Sequence, residues 1–211
     1  MKVLIVSGGK KPSKALLKIE ASNSDYIICA DSGANAVKEA DIRPNLLLGD
    51  FDSINNDTLE YFKKENCNIV TFPKEKDFTD SELAIRKAME LGASSLVLLG
   101  FTGTRVDHLL GNLGLLNLCL LKGIKATIKD DNNIIFLSDK PLKLSSLNKR
   151  IFSIQAYCEE VKGLTIKGAK YPLVNYDLKL GQPITISNEF LKGDVEINFK
   201  SGKILVIFSK D

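Results

Sequence analysis

Apolar residues follow two rhythms along this chain. Up to about residue 128, short apolar runs at 3–6, 26–30, 46–48, 69–72, 96–99 and 126–128 alternate with longer amphipathic stretches. The short runs read as buried strands. The stretches at 13–21, 34–40, 58–65, 80–91 and 107–121 carry the helical period. Strands alternating with helices predict a mostly parallel sheet covered on both faces. Beyond residue 130 the rhythm changes. Short β-rich runs at 134–137, 151–157, 164–166, 184–187, 195–199 and 204–208 are punctuated by Gly163, Gly168, Gly181, Gly193 and Ser201-Gly202. No helical period is sustained there, which predicts a small all-β sandwich or barrel. The expected fold class is α/β, in two domains. An N-terminal α/β/α domain with a mostly parallel sheet covers residues 1–128. A C-terminal all-β sandwich covers residues 129–211. So small a β domain needs a further surface to pack against, from the first domain or from another copy.

Composition narrows the class without changing this picture. The chain has 211 residues, 44% hydrophobic and 26% charged, which is ordinary for a globular protein. Net charge is +3, from 29 basic and 26 acidic residues. The basic residues are scattered, so no nucleic-acid partner is expected. The N-terminal apolar run is short and meets Gly8-Gly9, unlike a signal peptide. The greasiest stretch, 113–121, is too short to span a bilayer, so no membrane partner is expected either. Cys29, Cys67, Cys119 and Cys158 lie far apart and read as reduced thiols of a cytoplasmic protein. With one histidine and no C-x-x-C pair, a zinc site is not expected.

Parallel sheets bind ligands outside the carboxyl ends of their strands. Several polar clusters follow predicted strands: Ser7-Gly8-Gly9, Asp31-Ser32-Gly33, Gly49-Asp50-Phe51-Asp52, residues 74–80 and residues 100–107. The architecture would collect them along one edge. In Gly49-Asp50-Phe51-Asp52-Ser53, two carboxylates stand one residue apart. If the extended backbone continues, Asp50 and Asp52 point the same way. Such a pair repels unless a cation lies between, most simply Mg²⁺ holding phosphates. Taken alone, the same residues also suit a solvated turn.

The second cluster, Asp77-Phe78-Thr79-Asp80, follows Lys74 and Lys76. Thr79 and Glu82 fit a capping box, which puts Asp80 in the first turn of a helix. Acids to hold metal and bases to hold phosphate oxygens suit a metal-bound polyphosphate. In Gly100-Phe101-Thr102-Gly103-Thr104-Arg105-Val106-Asp107-His108, Arg105 can form a fork on phosphate. The alternative is an ordinary loop with Arg105 paired to Asp107. His108, the single histidine, reads as a structural polar group near the helix start, with a proton carrier as the alternative. No P-loop, dinucleotide fingerprint or nucleophile signature is present, and phosphoryl transfer needs none of them.

Together these segments resemble the thiamine pyrophosphokinase family. The matching pieces are Ala30-Asp31-Ser32-Gly33-Ala34-Asn35, Gly49-Asp50-Phe51-Asp52-Ser53, Asp77-Phe78-Thr79-Asp80, and residues 100–108 with Leu110-Gly111-Asn112. Gly168-Ala169-Lys170-Tyr171-Pro172-Leu173 and Ile186-Ser187-Asn188-Glu189 follow in the same order. The resemblance implies a Mg²⁺-dependent transfer of the diphosphate of ATP to thiamine, giving thiamine diphosphate and AMP. It implies Asp50, Asp52 and Asp80 as metal ligands, and Asp31, Asp77, Thr79, Arg105 and Asp107 around the nucleotide and reaction site. It implies Tyr171, Ser187 and Asn188 near thiamine, and a homodimer with thiamine at its interface. Animal members carry tryptophan where this chain has Tyr171. Rival readings are a pyrophosphokinase for another alcohol, such as a hydroxymethyl pterin, and a catalytically silent nucleotide- or thiamine-binding regulator. The β half favours thiamine over a pterin, and the retained acids argue against a silent regulator.

Overall fold

The computed structural model describes residues 1–75, 77–146 and 151–210. The chain divides into two compact units, Met1–Asp131 and Asn132–Asp211.

The first unit is built from β1 (Lys2–Val6), α1 (Lys14–Ser22), β2 (Tyr26–Ala30), α2 (Gly33–Glu39), β3 (Leu46–Gly49) and α3 (Asn56–Lys64). It continues through β4 (Asn68–Thr71), α4 (Asp80–Glu90), β5 (Ser95–Leu99), α5 (Val106–Leu121) and β6 (Lys125–Lys129). Its strands lie in the order β4-β3-β2-β1-β5-β6, every pair parallel. The strand order reverses between β1 and β5, the kind of switch point at which such sheets bind ligands. Each strand offers one set of side chains to either face. Leu4, Val6, Cys29, Leu47 and Leu99 share a core with Leu17 of α1, Val37 of α2 and Phe62 of α3. On the other face α4 packs against β1, β2 and β3 and buries Ala84, Ile85 and Ala88. These strands are buried on both faces, which is why their sequences are continuous apolar runs rather than alternating ones.

The second unit contains β7 (Asn133–Ser138), β8 (Leu142–Leu144), β9 (Ile151–Ala156), β10 (Val161–Lys167), β11 (Leu173–Leu178), β12 (Val195–Asn198) and β13 (Ile204–Ser209). One sheet runs β7-β13-β9 and the other β11-β10-β12-β8, all antiparallel. Phe152, Ile154, Val206 and Phe208 from the first meet Leu164, Ile166, Val195 and Ile197 from the second in one core. This is the sandwich expected from the β-rich half.

The expected strand at 184–187 is not one. Ile184 and Ile186 are exposed while Thr185 is buried. The Ile186 N–H donates to the Pro183 carbonyl, and Ser187 has φ +55°. Proline and a left-handed residue turn this stretch out of the ladder. Conversely β11 carries Asn175, Tyr176 and Asp177, and its mixed polarity hid it from a reading based on apolar runs.

Candidate functional site at the sheet edge

The carboxyl end of β3 breaks from extended geometry at once. Gly49 has φ +147° and Phe51 φ +61°. The Asp52 N–H donates to Asp50 Oδ1 at 3.1 Å. Asp50 and Asp52 therefore converge through a turn, not through a strand that continues past Gly49. Gly49 is required on two counts. Its φ lies where side chains are rarely tolerated, and a Cβ there would stand 3.3 Å from the Asp31 backbone and side chain.

Asp31 sits at the end of the neighbouring strand. Its N–H donates to the Leu48 carbonyl at 2.9 Å, extending the β2–β3 ladder by one bond, and its φ is +47°. Carboxylate oxygens of Asp31, Asp50 and Asp52 all lie within 4.8 Å of one another. Ser53 Oγ donates to Asp31 Oδ2. The other oxygen, Oδ1, is buried without a hydrogen-bond partner. Three convergent carboxylates with one orphaned oxygen fit a hard divalent cation such as Mg²⁺. Lys74 Nζ lies 3.3 Å from Asp52 Oδ2, so a cationic group already faces this set.

The group thus contains Asp31, which was expected beside the nucleotide, and does not contain Asp80. Part of its signal was available, since Asp31 follows β2 as Asp50 follows β3; that the two strands are neighbours is seen only in the sheet. Ser53, which fixes the Asp31 carboxylate, was not singled out. Asp80 begins α4 behind the N-cap Thr79, whose hydroxyl accepts from the Glu82 N–H at 3.2 Å. The Glu82 carboxylate turns instead to Arg86, at 2.7 Å. Asp77 lies exposed in the loop before α4. Lys76 lies outside the described residues. Ser7 Oγ and Ser81 Oγ share a hydrogen bond of 2.8 Å, tying the loop after β1 to the start of α4.

Beyond β5, the Arg105 guanidinium donates to Asp107 from Nε at 3.2 Å and from a terminal nitrogen at 2.6 Å. That hydrogen bonding holds the Asp107 carboxyl down to about 2. The Arg105 fork is therefore already occupied by a carboxylate. Thr79, Asp107, His108 and Asn112 line a cavity of about 190 Å³ between the starts of α4 and α5. Asn112 Nδ2 donates to the Phe101 carbonyl at 2.8 Å and anchors the loop that leads into α5.

In the second unit, Asn188 is 2% exposed. Its Oδ1 accepts from the Tyr171 N–H at 3.0 Å and its Nδ2 donates to the Tyr171 carbonyl at 2.8 Å. The side chain clasps the Tyr171 backbone. Tyr171 itself is 54% exposed, with Lys170 Nζ 5.4 Å from its ring centroid. Ser187, beside Asn188, is exposed, and its N–H donates to Ser153 Oγ at 3.0 Å.

A family model described as thiamin pyrophosphokinase, catalytic domain, matches residues 17–128. A second, the vitamin B1 binding domain of the same enzymes, matches residues 141–204. The chain is 33% identical over 218 residues to a thiamine pyrophosphokinase of Bacillus subtilis, covering 98% of each. The chain belongs to the thiamine pyrophosphokinase family. A crystal structure of a Bacillus subtilis thiamine pyrophosphokinase superposes with a TM-score of 0.90 at 30% identity, over 100% of both chains. A family protein from Enterococcus faecalis gives 0.87 at 30%, again over 100% of both. The yeast thiamin pyrophosphokinase gives 0.82 at 17% identity, over 99% of this chain and 86% of its own, and shares the fold. The thiamine pyrophosphokinase family transfers the diphosphate of ATP to thiamine, yielding thiamine diphosphate and AMP.

Proposed function

We propose that this chain is a Mg²⁺-dependent ATP:thiamine diphosphotransferase whose reaction site is the carboxyl edge of the first unit's sheet. The observation that carries this reading is the convergence of Asp31, Asp50 and Asp52, in a chain matched nearly end to end by thiamine pyrophosphokinases. Asp31, Asp50 and Asp52 would hold the metal, with Asp80 one helix start away. Bound Mg²⁺ would neutralise charge on the triphosphate as the β-phosphorus is attacked. Lys74 exchanges Asp52 for a phosphate oxygen, and Arg105 can add a planar fork once phosphate competes with Asp107. The thiamine hydroxyl must release a proton, and Asp77 or Asp80 would receive it.

Residues 1–128 would form the catalytic domain, binding ATP and Mg²⁺. Residues 129–211 would form the thiamine-binding and dimerisation domain. The exposed ring of Tyr171 would supply a face for the cationic thiazolium. Ser187 would supply a hydroxyl anchor. Asn188 would act by fixing the Tyr171 backbone. Tyr171, Val174, Leu180, Ile184, Ile186 and Leu191 are all exposed, an apolar surface of the kind that a second copy would cover. We therefore read the enzyme as a homodimer. Its cysteines are all free thiols, in keeping with a cytoplasmic enzyme. Among the described residues no helix is long and apolar enough to cross a membrane.

The experiment is direct: incubate the purified chain with ATP and Mg²⁺ and follow AMP with and without thiamine. AMP release that depends on thiamine is expected. Release that ignores thiamine, or answers to a hydroxymethyl pterin instead, would overturn the substrate assignment.

A further inference from the structure

Asp130 is a buried carboxylate outside the acid cluster. It follows β6 directly and is 4% exposed. The Thr102 hydroxyl donates to its Oδ2 at 2.9 Å. Thr102 lies in the loop that leads from β5 to Arg105 at the start of α5. The carbonyl of the same residue accepts the Lys10 N–H at 2.5 Å, and the Gly9 N–H donates to the Gly100 carbonyl at 2.8 Å. The loops after β1 and β5 thus meet backbone to backbone. A Cβ at Gly9 would stand 2.2 Å from the Thr102 carbonyl oxygen. Asp131, next along, accepts the Ser13 N–H at 3.0 Å and holds the far end of the loop after β1.

We propose that Asp130 is a positioning residue for Arg105. Through Thr102 it fixes the β5–α5 loop against the sheet, and so the place from which the guanidinium meets phosphate. The proposal rests on reading Arg105 as a phosphate fork. Residues 103–108 are all exposed, so the loop takes its position from what holds residues 100–102. Phe101 is 1% exposed, and its carbonyl accepts from Asn112 Nδ2. That bond ties the loop to α5, the helix that Arg105 itself begins. The Asp130 bond ties it to β6, which pairs with β5 along its whole length. It therefore registers the loop against the sheet whose other strand ends carry the acids.

A carboxylate suits this task. Ionised, it only accepts, so the Thr102 hydroxyl has to aim its hydrogen at β6. A hydrogen bond to a charged group is also stronger than a neutral one, and burial keeps water from competing for it. The hydroxyl and the carbonyl of Thr102 are held at once, by Asp130 and by the Lys10 N–H, so the residue cannot shift without loosening both. Only Gly103 and Thr104 separate it from Arg105, and a displacement at Thr102 carries into the fork. Placement matters in a reaction that works by neutralising charge, where a misplacement of about 1 Å can cost about 100-fold.

The test is a mutant cycle on the full chain with two readouts: turnover at saturating ATP and thiamine, and affinity for tripolyphosphate with Mg²⁺ by calorimetry. Thr102→Val keeps the side-chain shape and removes the hydroxyl. Turnover should fall by about tenfold or more and tripolyphosphate affinity by about threefold or more. Thr102→Ser keeps the hydroxyl and should stay within about twofold of the unaltered chain in both. In an Arg105→Gln background, Thr102→Val should cost less than about twofold further, because the group it positions is gone. Additive losses would make the bond a structural one and overturn the proposal, as would an unaffected Thr102→Val. Should Thr102→Val fail to fold because the Asp130 charge is left unpaired, Thr102→Val with Asp130→Asn removes bond and charge together and enters the same cycle. The parent readings fail separately. A chain that forms no AMP with thiamine loses the function, and the tripolyphosphate cycle still decides whether Asp130 acts through Arg105. Arg105→Gln with undiminished rate and affinity removes the fork, and the positioning role with it. Thiamine-dependent AMP with additive losses keeps the function and the fork and loses Asp130.

Discussion

The orphaned Oδ1 of Asp31 defines the chemistry of single residues here. A buried acceptor left unpaired costs about 1–3 kcal/mol, more when charged, and two further carboxylates within 4.8 Å add repulsion. Such a set is stable when a cation shares it. Asp52→Asn removes one charge at nearly constant shape. Turnover should fall by at least about 100-fold, since metal charge supplies several kcal/mol in reactions of this kind, while circular dichroism and the melting transition stay native-like. Wild-type rate in that folded variant would remove Asp52 from the site. Asp31→Asn and Asp80→Asn, compared by the Mg²⁺ concentration that half-saturates the rate, separate the two candidates for the third ligand. The geometry predicts the larger shift for Asp31. Arg105 and Asp107 make a different residue-level prediction. Because the Asp107 carboxyl is held down to about 2, the pair's contribution is complete above the usual carboxylate range. It is lost only as pH falls through about 2. A carboxyl titration by NMR should show this, and Arg105→Gln should return Asp107 to an ordinary value. An ordinary value in the unaltered chain would mean that the pair does not persist in solution. Arg105→Lys should leave turnover impaired, because one ammonium cannot reproduce the fork.

At the scale of elements, the strand ends decide what the site becomes. Gly49 holds a φ that side chains rarely adopt and lies against Asp31. Gly49→Ala should therefore cost about 1–3 kcal/mol of stability, read from the denaturant midpoint, and should splay Asp31 from Asp50. A neutral outcome for both stability and Mg²⁺ dependence would show that the turn tolerates a side chain. The parallel sheet and its helices were legible because β1, β2, β3 and β5 are nearly unbroken apolar, buried runs and the helices between them keep their period. The start of α4 was legible for the same local reason, with Thr79 capping as its spacing suggests. The turn geometry at Asp50–Asp52 was not. Strand periodicity says which face a residue occupies, not where the backbone leaves the strand. The inclusion of Asp31 depended on sheet order, since β2 and β3 must be neighbours before their terminal acids can meet. In the β-rich half, 184–187 carried strand-like residues without strand pairing. β11 paired without a strand-like pattern, because its partly polar face is half-exposed.

For the whole molecule, the distribution of chemistry across the chain poses the sharpest question. The first unit carries the three convergent carboxylates, Lys74 and Arg105, and the second carries Tyr171, Ser187 and the Asn188 clasp. Thiamine has a flat pyrimidine and a permanently charged thiazolium, so its pocket needs an aromatic or apolar wall with polar anchors. In the proposed reading Tyr171, which is exposed, would meet that need. The exposed apolar residues of the same unit call for a covering surface. In a homodimer one copy would supply the wall and the other the acids. Chains carrying Asp52→Asn and chains carrying Tyr171→Ala with Ser187→Ala should each be nearly inactive alone. Mixed under conditions where subunits exchange, they should regain about a quarter of wild-type activity. Random pairing makes half of the dimers mixed, and a shared-site arrangement leaves each mixed dimer one unaltered site out of two. Subunit exchange is checked independently by mass-tagged chains. Exchange without recovered activity would place each complete site within one chain, and Tyr171 would then serve the acids of its own copy.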